Sequence, residues 1–227
     1  LAGKGAHPLD LCLKVILAVV LARTAAMAFN RWADADIDAQ NPRTRMRAVP
    51  AGLLSRRFMG LMSLASAAGF VLACAWIHRL ALCLSPVVLT VLLGYSYTKR
   101  FTSLSHLALG AALGLSPVGA WVAVREEVAV LPALLGLAVL FWTAGFDVIY
   151  ACQDREVDRR MGLHSIPRRL GVARALRVSR LFHAVALALL AAVGVQGELG
   201  LVYASGVACV GGLLVYEHSL VKPGDLS

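Results

Sequence analysis

Asn30-Arg-Trp-Ala-Asp34-Ala-Asp36-Ile-Asp38 follows directly on a long apolar run. Asp154-Arg-Glu-Val-Asp158, with Asp147 just upstream, follows on another. Ionisable groups beside hydrocarbon-length segments are costly and usually functional. These two stretches therefore decide what fold to expect, helices in a membrane, and where to look for chemistry.

The rest of the chain agrees. Of its 227 residues 59% are hydrophobic and only 15% charged, with a mean hydropathy of +0.74. A soluble domain carries roughly 25% charged residues. A membrane helix needs about 20 mostly apolar residues. Seven such runs lie near 11–30, 57–76, 80–97, 104–124, 129–150, 172–194 and 199–216. The expected fold is all-α, a polytopic transmembrane bundle forming one domain over 1–227, with no linker or second domain. Pro86 and Pro117 fall inside spans, where neighbouring groups can satisfy the freed backbone. Gly110-Ala-Ala-Leu-Gly114, and Gly206 with Gly211-Gly212, predict close helix packing.

The five cysteines form no Cys-x-x-Cys pair. They predict neither a disulfide framework nor a zinc site; four of them lie in or beside apolar runs and read as core residues. Leu1 is followed by no n-region, which predicts no signal peptide, and both ends read as cut from a longer chain.

A net charge of +9 would point to nucleic acid in a soluble protein. Here the cations alternate between loops. Arg31, Arg43, Arg45, Arg47, Arg56 and Arg57 follow the first span, Lys99 and Arg100 the third. Arg155, Arg159, Arg160, Arg168, Arg169, Arg174, Arg177 and Arg180 follow the fifth. The loops on the other side carry only Arg79 and Arg125. Positively charged loops stay in the cytoplasm, so the ends of spans one, three and five are expected there and no nucleic acid is expected as partner. Both acidic clusters and Tyr95-Ser-Tyr97-Thr-Lys99-Arg100 then meet the same membrane face.

At about 100° per residue, Asn30, Asp34 and Asp38 form one polar stripe on a helix, and Asp36 points away from it. Asp147, Asp154 and Asp158 share a face in the same way, and Glu156 does not. Asp36 and Glu156 read as solvated or paired with loop arginines. If spans one and five are neighbours, the two stripes can face a common cavity. Clustered carboxylates repel unless a proton or a cation lies among them. Oxygen-only donors suit magnesium, which takes one or two carboxylates plus substrate phosphates. Lys99, Arg100 and some of Arg43, Arg45 and Arg47 would neutralise the remaining phosphate charge. A lone Asp at a helix end is usually interfacial; two Asp-x-x-x-Asp pairs at one face are not so easily dismissed. His78, His106, His183 and His218 show no ligand spacing and read as packing or interfacial residues.

Asn30-x-x-x-Asp34-x-x-x-Asp38 with Asp154-x-x-x-Asp158 resembles the signature of the UbiA superfamily of intramembrane aromatic prenyltransferases. Tyr95-Ser-Tyr97-Thr-Lys99-Arg100-Phe-Thr and Gly145-Phe-Asp147-Val-Ile-Tyr150-Ala-Cys-Gln-Asp154 strengthen the match. Together they resemble the bacterial 4-hydroxybenzoate polyprenyltransferase-like branch, which includes the prenyltransferase of the futalosine route to menaquinone. The resemblance covers nearly the whole chain. It implies nine helices around a cavity open to lipid, of which the first and last have no counterpart here. Many relatives carry Lys where His164 stands.

The resemblance implies a bacterial cytoplasmic (inner) membrane enzyme, working at the cytoplasmic face with magnesium, in ubiquinone or menaquinone biosynthesis. Its substrates would be a polyprenyl diphosphate, with its tail in the lipid bilayer, and a small aromatic acceptor, 4-hydroxybenzoate or a dihydroxynaphthoate. Asp34, Asp38, Asp154 and Asp158 are the expected metal ligands, for two ions bound with the diphosphate. Asn30, Arg43, Arg47 and His164 are expected at the diphosphate. Tyr95, Tyr97 and Tyr150 would shield the allylic cation. Catalytic roles fall to Lys99 and Arg100 on the leaving group and to Asp147, which itself or through a water it orients would take the proton lost by the acceptor. Two rivals read the same acids differently. A CDP-alcohol phosphotransferase would need a continuous Asp-x-x-Asp-Gly-x-x-Ala-Arg pattern, which is missing. An ion- or proton-coupled transporter would place its acids nearer the bilayer centre, in broken helices.

Overall fold

The structure is a computed structural model that describes residues 9–223. Its regular elements are helices: α1 (Leu9–Ala33), α2 (Ala35–Gln40), α3 (Arg56–Ile77), α4 (Arg79–Thr98), α5 (Ser105–Arg125), α6 (Val130–Arg160), α7 (Ile166–Leu170), α8 (Val172–Gln196) and α9 (Gly200–Leu220). Seven are long and apolar enough to cross a membrane, all but α2 and α7. They coincide with the seven runs expected from the sequence. Only 6–33% of the most apolar window of each is buried in the protein. Side chains such as Leu201 and Val202, at 88% and 87% exposure, would be untenable in water at this density. The chain is an integral membrane protein.

The described residues fall into two compact units: residues 9–98 with Gly119–Val128, and Lys99–Val118 with residues 129–223. In the first unit α1, α3 and α4 pack together. Ala25 and Ala28 of α1 are fully buried, so the α3 backbone comes close, and the Ser63 hydroxyl donates to the Ala25 carbonyl at 3.0 Å. Ala18, Phe70, Ala73 and Cys74 form the core there. Pro86 leaves the Leu82 carbonyl without its helical donor. The Ser85 hydroxyl takes that place at 2.8 Å, which is how α4 carries a proline without breaking.

In the second unit α6 is the central element, packed on α7 and α8, with α9 laid against α8. Val148, Cys152, Ile166, Ala175 and Leu176 form its core. A Cβ at Gly110 would overlap the Leu140 carbonyl, and one at Gly114 the Gly136 carbonyl. Only glycine allows this approach of α5 to α6, as the small-residue pattern predicts. The second small-residue stretch divides: a Cβ at Gly211 would meet the Leu187 side chain of α8 at 3.6 Å. Nothing lies within 4 Å of a Cβ built at Gly206 or Gly212, because α9 packs on one side only and buries just Leu214 among its residues.

The cysteines divide as well. All five are free, but only Cys74 and Cys152 are buried; Cys12, Cys83 and Cys209 are exposed. In a membrane helix an apolar residue can face lipid as readily as core, so hydropathy does not separate the two.

Candidate functional site

In the first unit the polar stripe forms on the seam between α1 and α2. Asp34 leaves helical geometry there, with φ −97° and ψ 5°. The i to i+4 bonds nevertheless continue through it, Asp34 N–H to Asn30 O at 2.9 Å and Asp38 N–H to Asp34 O at 2.8 Å. The three side chains therefore keep the common face that helical spacing predicts. Asp34 is 1% and Asp38 3% exposed, while Asp36 is on the surface. The Asn30 amide donates to Asp34 Oδ2 at 2.9 Å and to the Ser96 hydroxyl at 3.3 Å. It thus fixes one carboxylate oxygen and ties α1 to α4.

Buried carboxylates require counter-charge. Arg47 supplies it to Asp38: its Nη1 donates to both oxygens, at 2.8 and 2.9 Å. Arg31 stands further off, 3.7 Å from Asp38 Oδ2. The loop is held over the stripe by the Thr44 hydroxyl, which donates to the Asp38 carbonyl at 3.1 Å. Arg43 and Arg45 are exposed. Tyr95 and Tyr97 are half-buried at the end of α4, and the Tyr97 ring meets Phe29 edge-on at 5.7 Å. Asp36 pairs with Arg56 at 3.0 Å at the surface, as read from its angle. The apolar recess of about 300 Å³ lined by Leu11, Cys12, Val15, Ile16, Ala120 and Val124 carries none of these groups.

In the second unit α6 runs on to Arg160. Its 31 residues give about 46 Å, against a hydrocarbon core of about 30 Å, and Asp154 and Asp158 lie in the overhang. Both are half-buried, Glu156 is exposed, and Tyr150 is 58% exposed. Glu156 stands 3.5 Å from Arg155. Gly162, at φ +73°, turns the chain after α6 in a conformation that side chains resist.

The segment that follows is bound at every step. The Leu163 N–H returns to the Asp158 carbonyl at 2.9 Å, and the His164 N–H donates to the Lys99 carbonyl at 2.7 Å. The Ser165 side chain bonds the Asp158 carboxyl and accepts from the Arg168 N–H as the cap of α7. The Ile166 N–H donates to His106 Nε2 at 3.3 Å. His164 itself is exposed and enters through its backbone. Asp154, Lys99 and His106 all lie near enough to Asp158 to act on its charge.

His106 is the residue that sequence reading missed. It is buried, 3% exposed, and its Nδ1 lies 2.6 Å from Asp147 Oδ2. A lone histidine in an apolar run gives no signal of this, since the partner is 41 positions away. His78, His183 and His218 bond backbone groups or each other. His78 bonds the Val122 carbonyl at 2.9 Å and the Ala81 N–H at 3.1 Å; His183 and His218 bond each other at 2.9 Å.

Among the described residues no three His, Cys, Asp or Glu side chains gather closely enough to hold a metal by themselves. Each unit instead offers a pair of carboxylates at i, i+4 spacing. That donor set fits magnesium, which completes its shell with water and substrate phosphate.

Among the described residues, seven helices long and apolar enough to cross a membrane carry two i, i+4 pairs of aspartates. The UbiA prenyltransferase family profile matches residues 1–227, and the chain belongs to that family and is a prenyltransferase. It is 33% identical to a 4-hydroxybenzoate octaprenyltransferase of Aromatoleum aromaticum over 226 residues, 99% of this chain and 76% of the relative. It is 31% identical to the Vibrio atlanticus protein of the same name, covering 99% of this chain and 79% of that one. Among solved structures, the apo structure of a UbiA homolog from Aeropyrum pernix K1 superimposes with a TM-score of 0.89 at 36% identity, over 96% of this chain and 82% of that one. A UbiA homolog from Archaeoglobus fulgidus, bound to DMAPP and Mg2+, has a TM-score of 0.74 at 20% identity, over 94% of this chain and 76% of that one; at that identity the likeness is one of fold.

Proposed function

We propose that this enzyme transfers a polyprenyl group from a polyprenyl diphosphate to an aromatic ring of the 4-hydroxybenzoate type, with magnesium, in quinone biosynthesis. The observation that carries the reading is the pair of Asp-x-x-x-Asp motifs at helix ends, one of them almost fully buried and held by Asn30 and Arg47. The names of the relatives, 4-hydroxybenzoate octaprenyltransferases, and the Mg2+ and DMAPP of the Archaeoglobus homolog support the choice of substrates and metal. The basic loops argue for work at the cytoplasmic face of a bacterial inner membrane.

In this reading Asp34 with Asp38, and Asp154 with Asp158, would hold magnesium, as two ions, and Asn30 fixes the Asp34 carboxylate. Bound there, magnesium supplies Lewis-acid stabilisation of the departing diphosphate. Arg47, Arg43, Lys99 and Arg100 would add donors to that charge, and His164 would join them. The allylic C–O bond breaks and its electron pair leaves with the diphosphate. Tyr95 and Tyr97, and Tyr150 in its more open position, shield the allylic cation with their ring faces. A π pair of the acceptor ring forms the new C–C bond. Asp147 then takes the ring proton, and the C–H pair restores aromaticity.

The test is Asp34→Asn and Asp154→Asn, assayed in membranes with magnesium, labelled prenyl diphosphate and 4-hydroxybenzoate. Each variant is expected to lose at least about a hundredfold in transfer rate. Near-normal transfer by both sinks the reading.

A further inference from the structure

We propose that His106 is a positioning residue for Asp147, and that it ties the orientation of that carboxylate to the 162–166 segment; this rests on the role given to Asp147 above. Two hydrogen bonds on one ring carry the argument. The Ile166 N–H points at His106 Nε2 at 3.3 Å. An amide can only donate, so Nε2 presents its lone pair there. The ring hydrogen then sits on Nδ1, where it donates to Asp147 Oδ2 at 2.6 Å. A partner on one ring nitrogen selects the tautomer at the other.

Burial makes the arrangement directional. The His106 side chain is 4% exposed and that of Asp147 35%. One carboxylate oxygen is committed to the buried imidazole, and the carboxyl keeps a substantial open surface for a reacting proton. Ile166 opens α7, and the first amides of a helix have no partner within it. The imidazole supplies one to this amide and so pins the start of α7.

The same segment is fastened to the diphosphate end of the site. His164 N–H holds the Lys99 carbonyl and Ser165 bonds the Asp158 carboxyl. A run of three residues, His164 to Ile166, thus touches Lys99, Asp158 and His106 in order. The contacts that hold this segment to Lys99 and Asp158 therefore also fix the ring that aims the proton acceptor.

The experiment compares His106→Phe, which keeps the ring volume and removes both nitrogens, with His106→Asn, which keeps an N–H near the Nδ1 position. His106→Leu replaces the Phe variant if that does not insert stably. Transfer is measured with geranyl diphosphate, magnesium and 4-hydroxybenzoate, in the wild-type and Asp147→Asn backgrounds. His106→Phe is expected to lower kcat about ten- to a hundredfold with KM for the diphosphate nearly unchanged, and His106→Asn to recover most of it. In the Asp147→Asn background His106→Phe should cost less than about threefold, because residues acting as a unit are not additive. The proposal is overturned if His106→Phe keeps kcat within about threefold, if the two losses multiply, or if His106→Asn recovers nothing. A wild-type protein without transfer activity overturns the functional reading first, and the proposal with it.

Discussion

Arg47 Nη1 lies between the two carboxylate oxygens of Asp38, 2.8 and 2.9 Å from them. The Asp38 side chain is 5% exposed and that of Arg47 32%. The cation therefore reaches the buried anion from the more accessible side. Charge-assisted bonds to a buried carboxylate stabilise by about 1.5–3 kcal/mol. Arg47→Ala should lower thermal stability by about that amount in detergent without metal. If Asp38 is a magnesium ligand, saturating magnesium and diphosphate should close part of the gap, because the metal supplies the missing counter-charge. Scanning calorimetry of both proteins, with and without magnesium, checks this.

Asp36 and Asp38 are two positions apart and have opposite fates. Asp36 is paired with Arg56 at the surface, with a 76% exposed side chain. Exposed pairs contribute about 0–1 kcal/mol. Asp36→Asn should keep stability within that range and transfer activity close to wild type. Asp38→Asn should lose activity by about a hundredfold or more. Side-by-side rates under saturating magnesium separate the two.

The glycines of α5 and α9 should also respond differently. Gly110→Val drives a side chain into the Leu140 carbonyl, and overpacking of this kind costs about 1–3 kcal/mol or more. Gly206→Ala meets nothing within 4 Å and should be neutral or stabilise by up to about 1 kcal/mol. Unfolding temperatures of the two variants in one detergent are the measurement.

Chelation should separate chemistry from folding. The helices are held by apolar cores, serine-to-carbonyl bonds and glycine contacts, with Arg47 already neutralising Asp38 in place. EDTA should abolish prenyl transfer and leave far-UV circular dichroism unchanged, and added magnesium should restore the rate. A loss of helix on chelation would mean that the metal is structural.

What the sequence determined by itself was everything that follows from local periodicity. Span length is set by the bilayer, so apolar runs located all seven long helices. An i, i+4 spacing puts Asn30, Asp34 and Asp38 on one face whatever the helix packs against, and the same spacing put Asp36 and Glu156 outside the stripes. What only the tertiary structure decided was which partner each charged group takes. Asn30 meets Ser96 across 66 positions, His106 meets Asp147 across 41, and Ile166 meets His106 across 60. Such pairings depend on which helices pack and at what height, and an apolar run carries no record of either. The same reason explains Cys12 and Gly206, whose apolar surroundings suit lipid as well as core. His106 therefore read as a packing residue in the sequence, and only the tertiary structure places it beside Asp147 and the start of α7.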